Sequence, residues 1–144
     1  MRIFTALAFL ALAAMPGATN AQDGRYVCSS NGNEIQQLRI YEINRSNKDA
    51  FHRRFQDHAL RIMKRHGFKI IDMWESDTGE KIEFVYLLTW PDQATMDSRW
   101  SEFLADQEWI DIKKQTAAES GELVREANGQ PLVRVSYSPA CSAR

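Results

Sequence analysis

Three histidines, three carboxylates set among β-branched and aromatic neighbours, and a series of large aromatic side chains are the residues of this chain best equipped for chemistry. His52, His58 and His66 all fall on or just after one stretch of helical periodicity. His58 and His66 lie about 12 Å apart along a helix axis at ~1.5 Å per residue, too far for one metal ion to hold both. A metal site built on the histidines is therefore not expected, and no cofactor is implied, although a single His can serve as a haem ligand. His58 follows Phe51 and Phe55 and precedes Ile62 at helical spacing, at the edge of an apolar stripe. There it can act as acid, base or ligand orienter near neutral pH, while the commoner role of such a histidine is to bond a neighbouring acceptor at the core edge. His66 suits a helix C-terminus, where a cation complements the dipole.

Glu42, Asp72 and Glu83 stand inside candidate strands. A carboxylate that points into a cavity has its pKa raised and becomes useful for acid–base work; otherwise it pairs with a nearby arginine such as Arg39. Tyr41, beside Glu42, completes the weak catalytic candidates: His58, Tyr41 and Glu42. Trp74, Tyr86, Trp100 and Trp109 are the expected lining of an apolar ligand pocket, although most aromatics at such spacings serve as core. The chain has no Gly-rich phosphate loop, nucleophile elbow or zinc-ligand spacing.

The elements that must position these groups follow from periodicity. Leu38 to Ile43 alternates as a strand. Asn47 to His66 carries Ala50, Phe51, Phe55, Ala59, Ile62 and Met63 on one helical stripe, and Gly67 is a natural C-cap. The basic residues Arg53, Arg54, Arg61, Lys64 and Arg65 are expected on its solvated side, with contact to an anionic ligand or a membrane surface as the alternative. Phe68 to Glu75 and Lys81 to Trp90 form a hairpin around Thr78-Gly79. The second of these strands carries Ile82, Phe84, Tyr86, Leu88 and Trp90 on one face and Val85 and Leu87 on the other. A sheet apolar on both faces needs two covers. Helices supply one, and a partner sheet, hence a homodimer, supplies the other. Asp92 to Leu104 and Gln107 to Ser120 are helical. Leu123 to Glu126 and Leu132 to Tyr137 read as strands joined at Asn128-Gly129, a turn dipeptide. The order is that of an α+β, ferredoxin-like βαββαβ fold with an antiparallel sheet.

The ends of the chain have a character of their own. Arg2, the uncharged apolar run Ile3 to Ala14, the break at Met15-Pro16-Gly17 and the small residues before Ala21 follow the plan of a secretory signal peptide. The expected organisation is a signal peptide over 1–21, a polar, flexible lead-in over 22–36, a folded domain over 37–139 and a tail over 140–144. The location is then periplasmic or secreted, with no stable membrane anchor after cleavage. In an oxidising compartment the two cysteines, Cys28 and Cys141, are expected to form a disulfide. The ferredoxin-like order brings the segments that carry them together, since its first and last strands are neighbours. With 18 basic and 19 acidic residues, a net charge of −1 gives no basic footprint for nucleic acid.

Several runs, in order, resemble the NIPSNAP family: Ile40-Tyr41-Glu42; Phe55, His58, Ala59 and His66-Gly67-Phe68; Phe84-Val85-Tyr86-Leu87-Leu88 with Trp90; Arg99-Trp100 through Phe103, Leu104, Asp106 and Trp109; and Tyr137-Ser138-Pro139. The resemblance spans about residues 36 to 139. It implies a dimeric α/β-barrel in which two ferredoxin-like sheets face one another, and it brings no catalytic set that transfers residue by residue. The expected function is binding of a small organic ligand between sheet and helices. The alternatives are a cofactor-independent, monooxygenase-like barrel enzyme, or a protein-interaction module.

Overall fold

The computed structural model describes residues 26–27, 34–135, 137–139 and 142–143. Its body is a four-stranded antiparallel sheet with the helices on one face. The strands are β2 (Ile35–Ile43), β3 (Lys69–Asp77), β4 (Ile82–Trp90) and β5 (Val124–Leu132), in the spatial order β3-β4-β2-β5. This is the ferredoxin-like arrangement, with the first and last strands of the body adjacent. A separate pair, β1 (Tyr26–Val27) and β6 (Ser142–Ala143), joins the two ends of the chain in antiparallel register. Residues 1–21, where a signal peptide is expected, and Cys28 and Cys141 lie outside the described residues.

The first helical region is continuous but not uniform. α1 (Lys48–Arg54) passes into a π-helical segment at Phe55–Ala59 and then into α2 (Leu60–Arg65). Phe51, Phe55, Ala59, Ile62 and Met63 face inward, as the stripe requires. The end is a Schellman motif: Gly67 adopts φ 78° and donates to the Lys64 carbonyl, while the Phe68 N–H reaches the Met63 carbonyl at 3.0 Å. α3 (Gln93–Leu104) and α4 (Gln107–Ser120) each begin at an aspartate cap. The Asp92 carboxylate accepts from the Thr95 N–H at 2.7 Å, and that of Asp106 from the Trp109 N–H at 3.3 Å.

In β4 burial alternates with every residue, and Ile82, Phe84, Tyr86, Leu88 and Trp90 form the floor of the core. Phe84 lies 5.1 Å from Phe51 and 4.6 Å from Phe55, centroid to centroid. Phe68 lies 4.8 Å from both Trp90 and Trp100, extending the aromatic packing toward Phe103 and Trp109. Among the described residues, no helix covers the opposite face. Register places Leu38 beside Leu87, Ile40 beside Val85 and Trp74 beside Val85 on that open side.

Three expectations need correction. β2 begins at Ile35, so the folded body reaches into the lead-in. The Asn128-Gly129 pair is not a turn: both residues lie inside the single strand β5, opposite Ile40 and Arg39. The reason is steric. A Cβ on Gly129 would sit 2.1 Å from Arg39 Nη1, so glycine here makes room for a side chain on the neighbouring strand. Beyond Leu132, residues 133–135 form no strand.

The end of α2 is tied to the start of α4 by charge. Asp106 meets the His66 Nε2 at 2.6 Å and Arg65 at 2.7 Å, and Arg61 and Arg65 converge on Glu108. The bond to His66, followed by that to Arg65, holds the Asp106 carboxyl well below its ordinary pKa. A carboxyl depressed by folding stabilises the native state above its unfolded pKa of roughly 4 and loses that contribution as pH falls through the acid range. Asp106→Asn keeps a helix cap but removes the charge. It is expected to lower the urea midpoint at pH 7, and the gap to the parent protein should narrow at pH 3. A gap that stays constant with pH would contradict the ionic account.

Candidate functional site

Strand alternation on β2 sends Ile35, Gln37, Arg39, Tyr41 and Ile43 toward the helices. Three of these five are polar, on the face where β4 contributes only apolar and aromatic groups. Arg39 and Tyr41 border a cavity of about 380 Å³ between the β2–β5 side of the sheet and the layer formed by α1, α3 and α4. Its wall includes Arg39, Tyr41, Arg54, Trp100, Trp109 and Lys113.

The polar groups are ordered by contacts beneath the cavity. The Tyr41 and Tyr86 hydroxyls are 2.7 Å apart, and Arg39 Nη2 donates to the Tyr41 oxygen at 3.3 Å. Tyr86 has no exposed surface. Burial, and then the neighbouring Tyr41, push its pKa well above the ordinary phenol value, so it remains a neutral hydroxyl. Gln37, only 5% exposed, accepts at Oε1 from Trp100 Nε1 at 2.7 Å and from Trp90 Nε1 at 3.2 Å. Trp100 is thereby held upright as one wall. The Arg39 guanidinium lies 4.5 Å from the Trp100 ring centroid and 5.2 Å from that of Tyr41. Its Nε is buried without a hydrogen-bond partner in the described structure.

Two further cations border the same space. Arg54 lies 5.6 Å from the Trp109 centroid and donates to Thr116 Oγ1 at 3.1 Å. Burial lowers its pKa from the ordinary guanidinium value. Lys113 Nζ lies 5.7 Å from the same ring.

The structure sorts the sequence-derived candidates into two groups. Tyr41, Trp100 and Trp109 meet at the cavity, and Tyr86 lies behind Tyr41. Trp74 does not join them: it is 48% exposed on the open face of the sheet. Glu42 also faces the open side, where Arg125 approaches it at 3.4 Å. It does not pair with Arg39, which projects from the opposite face. His58 is half-buried in the π-helical segment and does not border the cavity. His52 bonds Glu75 at 2.7 Å, and His66 bonds Asp106. Among the described residues no group of three or more His, Cys, Asp or Glu could hold a metal ion.

Arg39 and Lys113 were not expected as site residues from the sequence, and Arg54 was placed first on a solvated face. The available signal was the alternation of β2. A polar residue at an odd position among Ile35, Tyr41 and Ile43 must face the core side, and it needs a reason to be there.

Comparison with solved structures supports the fold. A NIPSNAP-like domain protein from Burkholderia xenovorans is 20% identical, with a TM-score of 0.64 over 78% of this chain and 94% of that one. A NIPSNAP family protein of unknown function from Agrobacterium tumefaciens is 16% identical, with a TM-score of 0.64 over 80% and 98%. Comparison with curated proteins found no match. The family model described as NIPSNAP matches residues 36–139, from the start of β2 to past the end of β5, and the chain belongs to the NIPSNAP family.

Proposed function

We propose that this protein is an exported homodimer that binds a small organic molecule in the cavity between its sheet and helices. The cavity carries the reading: its volume lies in the range of ligand pockets, and ordered polar groups sit among aromatic walls. Binding is preferred to turnover because, among the described residues, aromatic and cationic side chains line the space and neither imidazole nor carboxylate does, with His58 and Glu42 standing apart from it. The dimer is supported by the open face of the sheet, where Leu38, Ile40, Val85 and Leu87 form a half-buried apolar centre without a helix above it. Export is supported by the pattern of the first 21 residues. The disulfide between Cys28 and Cys141 is supported by the pairing of Val27 with Ser142, the residues next to them in sequence. Among the described residues, no helix is long and apolar enough to cross a membrane.

Mass spectrometry of protein exported by its native host tests these points together. A native dimer mass with retained small molecule, an N-terminus at Gln22 and a two-hydrogen deficit after denaturation without reductant are expected. A ligand-free monomer with two free thiols would overturn the reading.

A further inference from the structure

We infer that the ligand of the cavity is an organic anion, a carboxylate on a flat aromatic body, with Arg39 as its anchor. This rests on the proposal that the cavity binds a small molecule, and it names the chemical class.

Among the described residues, the cations outside the cavity either meet carboxylates, as Arg45 does Asp77 at 2.7 Å, Lys48 Glu75 at 2.8 Å, Arg65 Asp106 at 2.7 Å and Arg99 Glu102 at 2.8 Å, or stand exposed to water, as Arg53, Lys64, Lys69, Lys114 and Arg134 do. Acids outnumber bases in the sequence, so partners are plentiful. At the cavity the pattern fails. Among the described residues Arg39 bonds only a phenol, Arg54 only a threonine hydroxyl, and Lys113 rests against an indole ring, and none of the three forms an ion pair. Three cations around one partly desolvated space, without a carboxylate on its wall, leave positive charge for a ligand to neutralise.

Arg39 is the best placed of the three. Among the described residues its buried Nε has no hydrogen-bond partner, and its Nη2 is oriented by Tyr41. A planar guanidinium presents a fork that matches a carboxylate. The body of the ligand is set by the walls. Trp100, Trp109 and Tyr41 offer flat apolar surfaces, which suit an aromatic ring and give little to a bare inorganic ion. Gly129 completes the device, since any side chain there would displace the Arg39 guanidinium.

The test uses the full mature protein and isothermal titration with 2-naphthoate, its neutral counterpart 2-naphthamide, and inorganic phosphate. The expected result is naphthoate binding at least ~10-fold more tightly than naphthamide, about 1.4 kcal/mol. Arg39→Gln and Gly129→Ala should each abolish that preference, while Arg39→Lys retains part of it. Urea midpoints establish that the variants fold, and Lys113→Gln, at a side chain with no hydrogen bond to lose, is expected to reduce the preference by a smaller factor. Equal binding of naphthoate and naphthamide overturns the anion assignment and leaves the binding cavity standing. Binding of phosphate alone overturns the organic ligand. If neither aromatic compound binds at millimolar concentration, the cavity reading falls with it.

Discussion

Gln37→Leu is expected to lower the unfolding free energy by about 2–4 kcal/mol. Leucine matches glutamine closely enough in size to avoid a large void, so the loss is one of polar pairing. A single Oε1 satisfies two indole N–H groups, those of Trp90 and Trp100. Trp90 is 1% exposed, and its orphaned donor has no route to water. An unsatisfied buried donor costs roughly 1–3 kcal/mol, more than the net value of the bond itself. The Trp100 donor stands nearer the cavity, where water can compensate in part. Urea denaturation measures the change. Trp100→Phe removes one of the two donors in advance, so adding Gln37→Leu to that variant should cost less than it does alone. A Gln37→Leu protein within about 0.5 kcal/mol of the parent would show that the two indoles do not depend on this acceptor.

Leu87→Asp is expected to convert the proposed dimer to a monomer at micromolar concentration. Leu87 stands at the centre of the open face, opposite Leu38 on β2 and Asp72 on β3. In an isolated subunit its side chain is only half-buried, so a carboxylate there keeps access to water and the fold persists. Against a partner sheet the same carboxylate loses its water, faces its symmetry mate and adds to the nearby Asp72, a combination that costs several kcal/mol on each side. Sedimentation velocity reads the outcome, and circular dichroism confirms that the subunit is folded. A variant that sediments with an unchanged dimer would place the interface elsewhere.

The parts of the fold that were legible in sequence are those decided locally. Gly67 closes its helix because the Schellman geometry needs a positive φ, and the next helix starts at Asp92, where a short side chain can reach back to a free N–H group. The alternation of β4 was equally plain, since a strand covered on one face writes its period directly into the residue types. Asn128-Gly129 shows where local chemistry is ambiguous. The same dipeptide serves a hairpin turn or an extended strand, and what decides here is Arg39 on the adjacent strand, which no local window contains.

Trp74 was misplaced for a related reason. Between Ile70 and Asp72 the pairing of β3 with β4 shifts by one residue. A one-residue slip exchanges the two faces of a strand, so the bulge sends Trp74 to the open side and Met73 to the helix side. Without it, alternation from Ile70 would have put Trp74 over the core, where the pocket reading expected it. The basic helix contained a similar exception. Arg61 and Arg65 are the solvated, ion-paired residues that composition suggests, while Arg54, on the same helical region, turns in against Trp109.

The division of tryptophans between the two faces has a spectroscopic consequence. Of the four in the chain, Trp90, Trp100 and Trp109 belong to the core and cavity, and Trp74 alone stands exposed on the open sheet. Intrinsic emission therefore contains two separable reporters. Entry of the proposed ligand is expected to perturb Trp100 and Trp109 and to leave Trp74 accessible to acrylamide. Pairing of subunits in the proposed dimer is expected to shield Trp74 and to leave the cavity indoles unchanged. Subtracting the signal of a Trp74→Phe protein isolates one event from the other, so occupancy and assembly can be followed in one cuvette without an added dye.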